Sequence, residues 1–317
     1  MLTGDDELLA VKAAELYYDE GKTQDEIGAL LGVTRWKVGR LLSQAREDGL
    51  IRIEIVHPRA RKLPLERRLR EELGLADAVV VPGLGFDESD DPTSRVAAAA
   101  AEYLASLRPV PRMLGISWGR TLHEVAACLQ QGWARGSNVV QINGGVSLNR
   151  RASSATNTAV VIAQKSGGSA TLLPSPAILE HASTRHAIEG DRFVASVLES
   201  ARSASAYLFS AGLPSADSVL VESGYLTPDV IDGLVKKGAV GDVLGRYIDA
   251  DGNIVDPSLD DRTVGLTLDD LRKARTSIAV IAGAAKQDIC RTVVSSGLCT
   301  TLITDESIAR FLLDESA

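Results

Sequence analysis

The chain has 317 residues, 45% apolar and 24% charged, an ordinary globular composition with room for two domains. Its net charge of −8 argues against a surface that binds nucleic acid all over, and three cysteines and four histidines, all scattered, exclude a disulfide framework and a zinc ligand set. No apolar run approaches the roughly 20 residues of a membrane helix, and the N-terminus is acidic where a signal peptide is basic, so the expected compartment is the cytoplasm.

Asp5 to Glu20 carries apolar residues at helical spacing, from Leu8 to Tyr17, and Gly21 ends the run. Thr23 caps a second, short helix, with Glu26 three residues on completing a capping box and Ile27, Leu30 and Leu31 inward. Gly32 makes the turn, and Thr34 caps a third helix running through Val38, Leu41, Leu42 and Ala45 to Asp48. Two short helices joined by a tight glycine turn, the second one basic, form a helix-turn-helix.

In that motif the exposed early residues of the second helix meet base edges and phosphates, so Thr34, Arg35, Trp36, Lys37 and Arg40 are candidate reading residues. Gln24, opening the preceding helix, is placed for a backbone phosphate. From Val33 to Arg70 there are eleven Lys and Arg against four Asp and Glu, a local charge of +7 in an acidic chain. Such an island marks a localised anionic partner. Basic runs are commonly solvated helix faces, and helix pairs also occur in structural bundles. The box, turn, cap and basic surface together favour operator DNA.

Leu50 to Val56 alternates as a strand, a wing or a tie between domains. Pro58 and Pro64 bracket a basic linker, and Leu65, Leu69 and Leu73 line a helix that is either a subunit contact or a cap on the second domain. The expected division is 1–56 for DNA, 57–74 for the linker and helix, and 75–317 for an effector and oligomerisation domain.

Beyond Ala78, short apolar strands alternate with helices: 78–81, 113–116, 139–142, 169–173, 206–210, 277–282 and 300–303 are the strands. The pattern predicts an α/β domain whose mostly parallel sheet is covered by helices on both faces. Ligands in such sheets sit beyond the carboxyl ends of the strands. That singles out the loops 117–121, 143–147, 174–176, 212–215 and 283–286. The first holds Ser117, Gly119, Arg120 and Thr121 between a strand and a helix. Free N–H groups at the helix start, a glycine, two hydroxyls and a guanidinium make an anion cradle. The spacing is not a Walker A pattern. An ordinary turn with Thr121 as helix cap is the other reading of the loop by itself.

Several stretches together resemble the SorC family of sugar-binding transcriptional regulators. They are the text from "AAELYYDEGKTQDEIGALLGVTRWKVGRLLSQAREDGLIRIEI" onward, then "GISWGRTL", "VVQINGGV", "SGYLTPDVIDGLVKKGAVGDVLGRYIDADG", "AVIAGAAKQDI" and "TLITDE". The resemblance covers nearly the whole chain in order. It implies an effector domain folded like the ribose-phosphate isomerases and glucosamine-phosphate deaminases, used as a sensor of a phosphorylated sugar or polyol, in a homo-oligomer that is typically a dimer of dimers. It implies no cofactor. It places the phosphate loop on Ser117, Gly119, Arg120 and Thr121, an acceptor for sugar hydroxyls on Asp242 after Gly241, and the lysine of a Gly-Gly-x-x-Lys segment on Lys286, although this chain departs from that segment with Gly283-Ala284-Ala285. One branch of the family has a Schiff-base lysine before the Gly-Gly; here Asn143 precedes Gly144, and an amide forms no imine, so binding is expected to be noncovalent.

Asp249 to Asn253 begins like a calcium loop but lacks the closing glutamate, and a turn on Asp251-Gly252 is expected instead. Trp118 either stacks on a sugar face or fills the core of its loop. Two functions stand: a ligand-responsive regulator, a repressor of carbohydrate catabolism genes, or a sugar-phosphate isomerase or deaminase with an accessory DNA-binding domain. The enzyme needs a positioned general base, for which Asp242 or Glu222 are the candidates.

Overall fold

The computed structural model describes residues 4–51, 61–83, 91–146 and 154–315. The chain divides into two compact units, Met1–His57 and Pro58–Ala317.

In the first unit, α1 (Gly4–Ala14) runs into a π-helical turn, Glu15–Asp19. Then come α2 (Gln24–Leu31) and α3 (Arg35–Glu47). The caps are formed by the side chains that the spacing predicts. The Thr23 amide donates to the Glu26 carboxylate at 2.8 Å, and the Glu26 amide donates back to the Thr23 hydroxyl at 3.3 Å. Gly32 takes φ 67, which turns the chain so that the Thr34 hydroxyl accepts from the Lys37 amide at 3.3 Å. Ala10, Ala13, Ile27, Val38, Leu41, Leu42 and Ala45 are buried beneath these helices. With so small a core, trimming Leu41 or Leu42 to Ala is expected to cost about 2–5 kcal/mol. Beyond Ile51 the expected strand, and Arg59 of the basic linker, lie outside the described residues.

The second unit opens on α4 (Leu63–Leu73), whose Leu65 and Leu69 are buried in its main core. The leucine stripe therefore caps the α/β unit. Arg61 and Lys62 of the linker are engaged too: Arg61 forks onto Glu66 through two 2.7 Å bonds, and the Lys62 ammonium lies 3.0 Å from Glu306.

After α4 the chain alternates as predicted: β1 (Asp77–Val81), α5 (Thr93–Ser106), β2 (Met113–Ile116), α6 (Arg120–Cys128), β3 (Asn138–Gln141), α7 (Ser154–Ser166), β4 (Ala170–Thr171), α8 (Ala182–Glu189), α9 (Arg192–Arg202) and β5 (Ala206–Phe209). It continues through β6 (Ala211–Gly212), α10 (Val219–Glu222), α11 (Pro228–Lys236), β7 (Gly241–Val243), β8 (Arg246–Ile248), α12 (Pro257–Asp260) and α13 (Leu268–Arg272). It ends with β9 (Ser277–Val280), a 3-10 turn Ala284–Lys286, α14 (Gln287–Ser295), β10 (Thr301–Asp305) and α15 (Glu306–Leu312).

Seven strands form one parallel sheet in the order β1-β10-β9-β5-β2-β3-β4. Alternate side chains serve opposite faces. Tyr207 and Phe209 join the core under α4, α9, α14 and α15, while Ala206 and Leu208 join the core under α5, α6 and α7. Both faces are covered, as near-continuous apolar strands require.

A second sheet, antiparallel in the order β6-β7-β8, is absent from the sequence reading. Its β7–β8 turn is Leu244-Gly245, at φ 58 and φ 82. A leucine at positive φ is strained backbone, and it gives none of the Asn-Gly or Asp-Gly signal that marks such a hairpin. The expected turn at Asp251-Gly252 forms, with Asp249 accepting from the amides of Asp251 and Asn253 at 3.0 and 2.9 Å. Among the described residues no helix is long and apolar enough to cross a membrane, and no cluster of acids, histidines and cysteines is placed for a metal ion.

Candidate functional site

The neighbouring strands β2, β5 and β9 end on one side of the sheet, and their loops enclose a cavity of about 170 Å³. From β2 come Ser117, Trp118, Gly119, Arg120 and Thr121; from β5 come Ser210 and the segment through Leu220; from beyond β9 comes Lys286. The antiparallel hairpin closes the cavity with Asp242, Leu244 and Gly245. This is where an open parallel sheet binds its ligands.

The β2–α6 loop opens the start of a helix onto the cavity. Gly119, at φ 145, occupies the cap position of α6, and no side chain caps the helix. Thr121 is therefore not the cap; it lies inside the first turn and is buried. The first N–H groups of the helix have no intrahelical partner and carry its positive end. Arg120 lies at this entrance. Its guanidinium donates to the Asp217 carbonyl at 2.5 Å and to the Glu222 carboxylate at 2.8 Å. Glu222 thus serves as a partner of Arg120. Asp217 is itself held below the usual carboxylate range, chiefly by the Ser215 hydroxyl 2.5 Å away.

Asp242 and Lys286 occupy the interior. A Cβ on Gly212 would come within 2.1 Å of Asp242 Oδ1, so glycine there makes room for the carboxylate. Asp242 Oδ2 accepts from the Gly245 amide at 3.0 Å, which the strained turn aims at it. Burial raises the carboxyl to about 6, against the opposing pull of that amide and of Lys286. Burial likewise lowers the Lys286 ammonium, with Asp242 opposing and Arg120 reinforcing the shift. Lys286 thus senses both the Arg120 end and the Asp242 end. Arg246 is the other nearby cation, but it is buried and turned away: it donates to the carbonyls of Leu266 and Thr263 at 3.1 and 3.2 Å and pairs with Asp260.

Asn143 and Gly144 do not line the cavity; they support its wall. The Asn143 amide donates to the Ser117 hydroxyl at 3.1 Å, and Trp118 Nε1 donates to the Gly144 carbonyl at 2.8 Å. A Cβ on Gly144 would lie 2.2 Å from the Pro176 carbonyl oxygen, so that glycine serves packing. Trp118 fills the core of its loop against Ala177, Leu220 and Leu226 while one edge still reaches the cavity. Of the expected loops, neither 174–176 nor the described part of 143–147 contributes a lining residue. Ser210, Ser218 and the Leu244-Gly245 turn were missed; the signal was the run of small and hydroxyl residues from Ser210 to Ser218 directly after a strand.

In the first unit, Gln24, Thr34, Arg35, Trp36, Lys37 and Arg40 line one open groove with Gly39 and Ser43. Trp36 is 89% exposed at this groove. Two cations are paired with acids of the same unit: Arg35 lies 3.4 Å from Asp25 and Lys37 3.0 Å from Asp6.

Comparison with known proteins shows what the chain is similar to. The Sugar-bind family model, a sugar-binding domain, matches residues 57–314. The deoxyribonucleoside regulator of Bacillus subtilis is 31% identical over 97% of this chain and 97% of its own length. The erythritol catabolism regulatory protein EryD of Brucella abortus is 28% identical over 98% of each chain. The crystal structure of the full-length sorbitol operon regulator SorC from Klebsiella pneumoniae superposes with a TM-score of 0.70 at 28% identity, covering 98% of this chain and all of that one.

Proposed function

Because the chain belongs to the SorC family of sugar-binding transcriptional regulators, we propose that it is a DNA-binding regulator of carbohydrate catabolism genes, a repressor, whose operator affinity changes when a phosphorylated sugar or polyol enters the effector cavity. One observation carries the reading. A cavity with an uncapped helix N-terminus, Arg120, Lys286 and an inward carboxylate shares a chain with a helix-turn-helix whose groove gathers Arg35, Lys37 and Arg40. The first feature suits a phosphate with hydroxyls attached, the second the DNA major groove.

The effector is held noncovalently: Asn143 occupies the imine-forming position, and its amide is committed to Ser117. Ser117, Gly119, Arg120 and Thr121 take the phosphate, Lys286 bridges, and Asp242 accepts from a hydroxyl. The protein acts in the cytoplasm as a homo-oligomer, a dimer of dimers, on a pseudo-palindromic operator whose half-sites match the two-fold axis. A regulator is favoured over an isomerase or deaminase because the relatives similar over nearly the whole chain are named as transcriptional regulators, and because Glu222, one of the two candidate bases, is paired with Arg120.

The test joins two measurements. A thermal-shift screen of phosphorylated sugars and polyols should find a ligand that raises the melting temperature. The same ligand should alter operator binding in a gel shift and emerge chemically unchanged after prolonged incubation. Turnover of that ligand would favour the enzyme.

A further inference from the structure

Three consecutive residues where β10 runs into α15 hold two pieces of the second unit that are far apart in sequence. Asp305 is 2% exposed and divides its carboxylate between them. Oδ1 accepts from the Ile308 amide at 3.1 Å and so caps α15, while Oδ2 accepts from the Gly283 amide at 2.7 Å. Gly283 opens the 3-10 turn that presents Lys286 to the cavity, and its carbonyl accepts from the Lys286 amide at 2.9 Å. Glu306 faces the linker. Its Oε2 takes the Lys62 ammonium at 3.0 Å and the Gly83 amide at 3.1 Å, and its Oε1 takes Arg310 at 2.7 Å. The Ser307 hydroxyl accepts from Gln287, at the start of α14, at 3.2 Å.

Polar bonds in such a sheltered place are strong and directional. The Glu306 side chain is 10% exposed and that of Lys62 28%. Burial pushes the Glu306 carboxyl up, but Arg310, Lys62 and the Gly83 amide outweigh it and hold the group below the ordinary carboxylate range. Packing alone does not call for this arrangement. Leu65 and Leu69 already bury α4 in the main core, and Arg61 pairs with Glu66 of α4 itself. Lys62 instead reaches the residue next to Asp305. The turn that carries Lys286 and the linker thus meet on adjacent residues of one strand-to-helix junction. A short hydrogen bond tolerates little stretching, so a displacement of the 284–286 turn pulls on the first turn of α15.

We propose that Asp305 and Glu306 form a joint that passes the state of the cavity to the linker: a ligand that moves Lys286 moves its turn, Asp305 carries the displacement to α15, and Glu306 carries it to Lys62. This rests on the effector reading of the cavity and assigns the regulation of that site to positioning residues outside it. Lys62 belongs to the stretch of chain that joins the second unit to the helix-turn-helix. Asp305, Glu306 and Lys62 line neither the cavity nor the groove of the first unit. Loss of the joint should therefore preserve both affinities and abolish the dependence of one on the other. A residue serving stability alone would lower the melting temperature and leave that dependence unchanged.

The experiment is titration of the full chain with a DNA duplex that it selects from a random pool, with and without a saturating probe. The probes are ribose 5-phosphate, deoxyribose 5-phosphate, erythritol 4-phosphate and glucitol 6-phosphate. At least one should change wild-type DNA affinity by about five-fold or more. In Lys62→Met, Glu306→Gln and the double variant that factor should fall below about two-fold, equally in all three because the residues act as a pair. Probe affinity without DNA, and DNA affinity without probe, should stay within about three-fold of wild type. Asp305→Asn, which sets a donor against the Gly283 amide, should lose the factor too. Lys62→Arg should restore it, and Arg61→Met, which frees the linker's other anchor, should retain it. Lys62 is the more exposed partner, so Lys62→Met decides the matter should Glu306→Gln fail to fold. A wild-type factor in Lys62→Met or in Asp305→Asn overturns the joint and leaves the effector reading standing. An equal loss in Arg61→Met, or additive losses in the double variant, does the same. A wild type whose DNA affinity no probe alters overturns the effector reading, and the joint with it.

Discussion

The guanidinium of Arg120 donates to the Glu222 carboxylate at 2.8 Å, so the cation of the strand-to-helix loop is held by an acid from α10 at the mouth of the cavity. A phosphate arriving at α6 must compete with Glu222 for Arg120. The two side chains are 57% and 44% exposed, so the pair itself is worth at most about 1 kcal/mol. Glu222→Gln keeps the shape and removes the competitor. It should raise effector affinity about two- to five-fold, most clearly at low salt, where exposed charges are least screened. Calorimetric titration at two ionic strengths checks this; weaker binding in the variant would mean that Glu222 contacts the ligand itself.

Removing Arg120 or the Thr121 hydroxyl is the complementary change. Arg120→Ala and Thr121→Val should lose the effector response while retaining operator binding, since both lie in the second unit and the basic groove lies in the first. A gel shift with and without effector measures both properties. A wild-type response in either variant at wild-type effector concentrations would remove that residue from the cradle.

The local parts of the fold were legible because their causes are local. A threonine cap, a glutamate three residues on and a glycine turn specify α2 and α3 within a dozen positions, and continuous apolar runs specify buried parallel strands. The cavity's inner wall was not legible, because Ser210, Ser218 and Asp242 meet only after the chain has crossed between two sheets. The hairpin that carries Asp242 was hidden by its turn: three-residue strands joined through Leu244 at positive φ defy the propensities from which hairpins are read. Asn143 illustrates a further gap. Its residue type excludes an imine, but that it stands behind Ser117 instead of facing the ligand is a tertiary fact.

The groove of the first unit makes a prediction about DNA. Arg35→Ala or Lys37→Ala should weaken operator binding by about 1–3 kcal/mol where the residue meets a base edge, with a steep loss of affinity as salt rises. The structure adds an opposite expectation for their partners. Asp25→Asn and Asp6→Asn remove acids that compete with DNA for Arg35 and Lys37, and should tighten binding modestly. Gel shifts over a salt series decide the matter. Unchanged affinity in both alanine variants would move the reading surface elsewhere.

Asp242 yields a prediction in pH. Its carboxyl is raised to about 6 from the ordinary 3.8, so the native state binds the proton more tightly than the unfolded chain. The sign follows: stability from this group is fully present below about pH 4 and is lost as pH rises towards about 6. Lys286, Tyr247 and the Gly245 amide face it and remain in the variant. Asp242→Asn should therefore stabilise the unliganded protein by at most about 3 kcal/mol at pH 7 and by nearly nothing at pH 4. Urea unfolding of both proteins at the two pH values measures the difference. An equal gain at both would show that the effect is packing.

Lys286 tests how the sensor communicates with the reader. It reaches the cavity from beyond β9, whereas Arg120 comes from the loop after β2, and Lys286 is coupled electrostatically to both Arg120 and Asp242. A phosphate held by both would tie two strand-to-helix connections together. Ligand binding can alter operator affinity only if the ligand prefers one arrangement of the protein over another. Lys286→Met keeps the bulk and removes the charge. Effector affinity should fall, and operator affinity without effector should stay near wild type. Linkage adds a stricter requirement: saturating operator must change effector affinity by the same factor by which effector changes operator affinity. Calorimetric titration of the effector with and without operator measures that factor directly. Equal effector affinities in the two titrations, in a protein that still releases DNA on induction, would rule out coupling through this cavity.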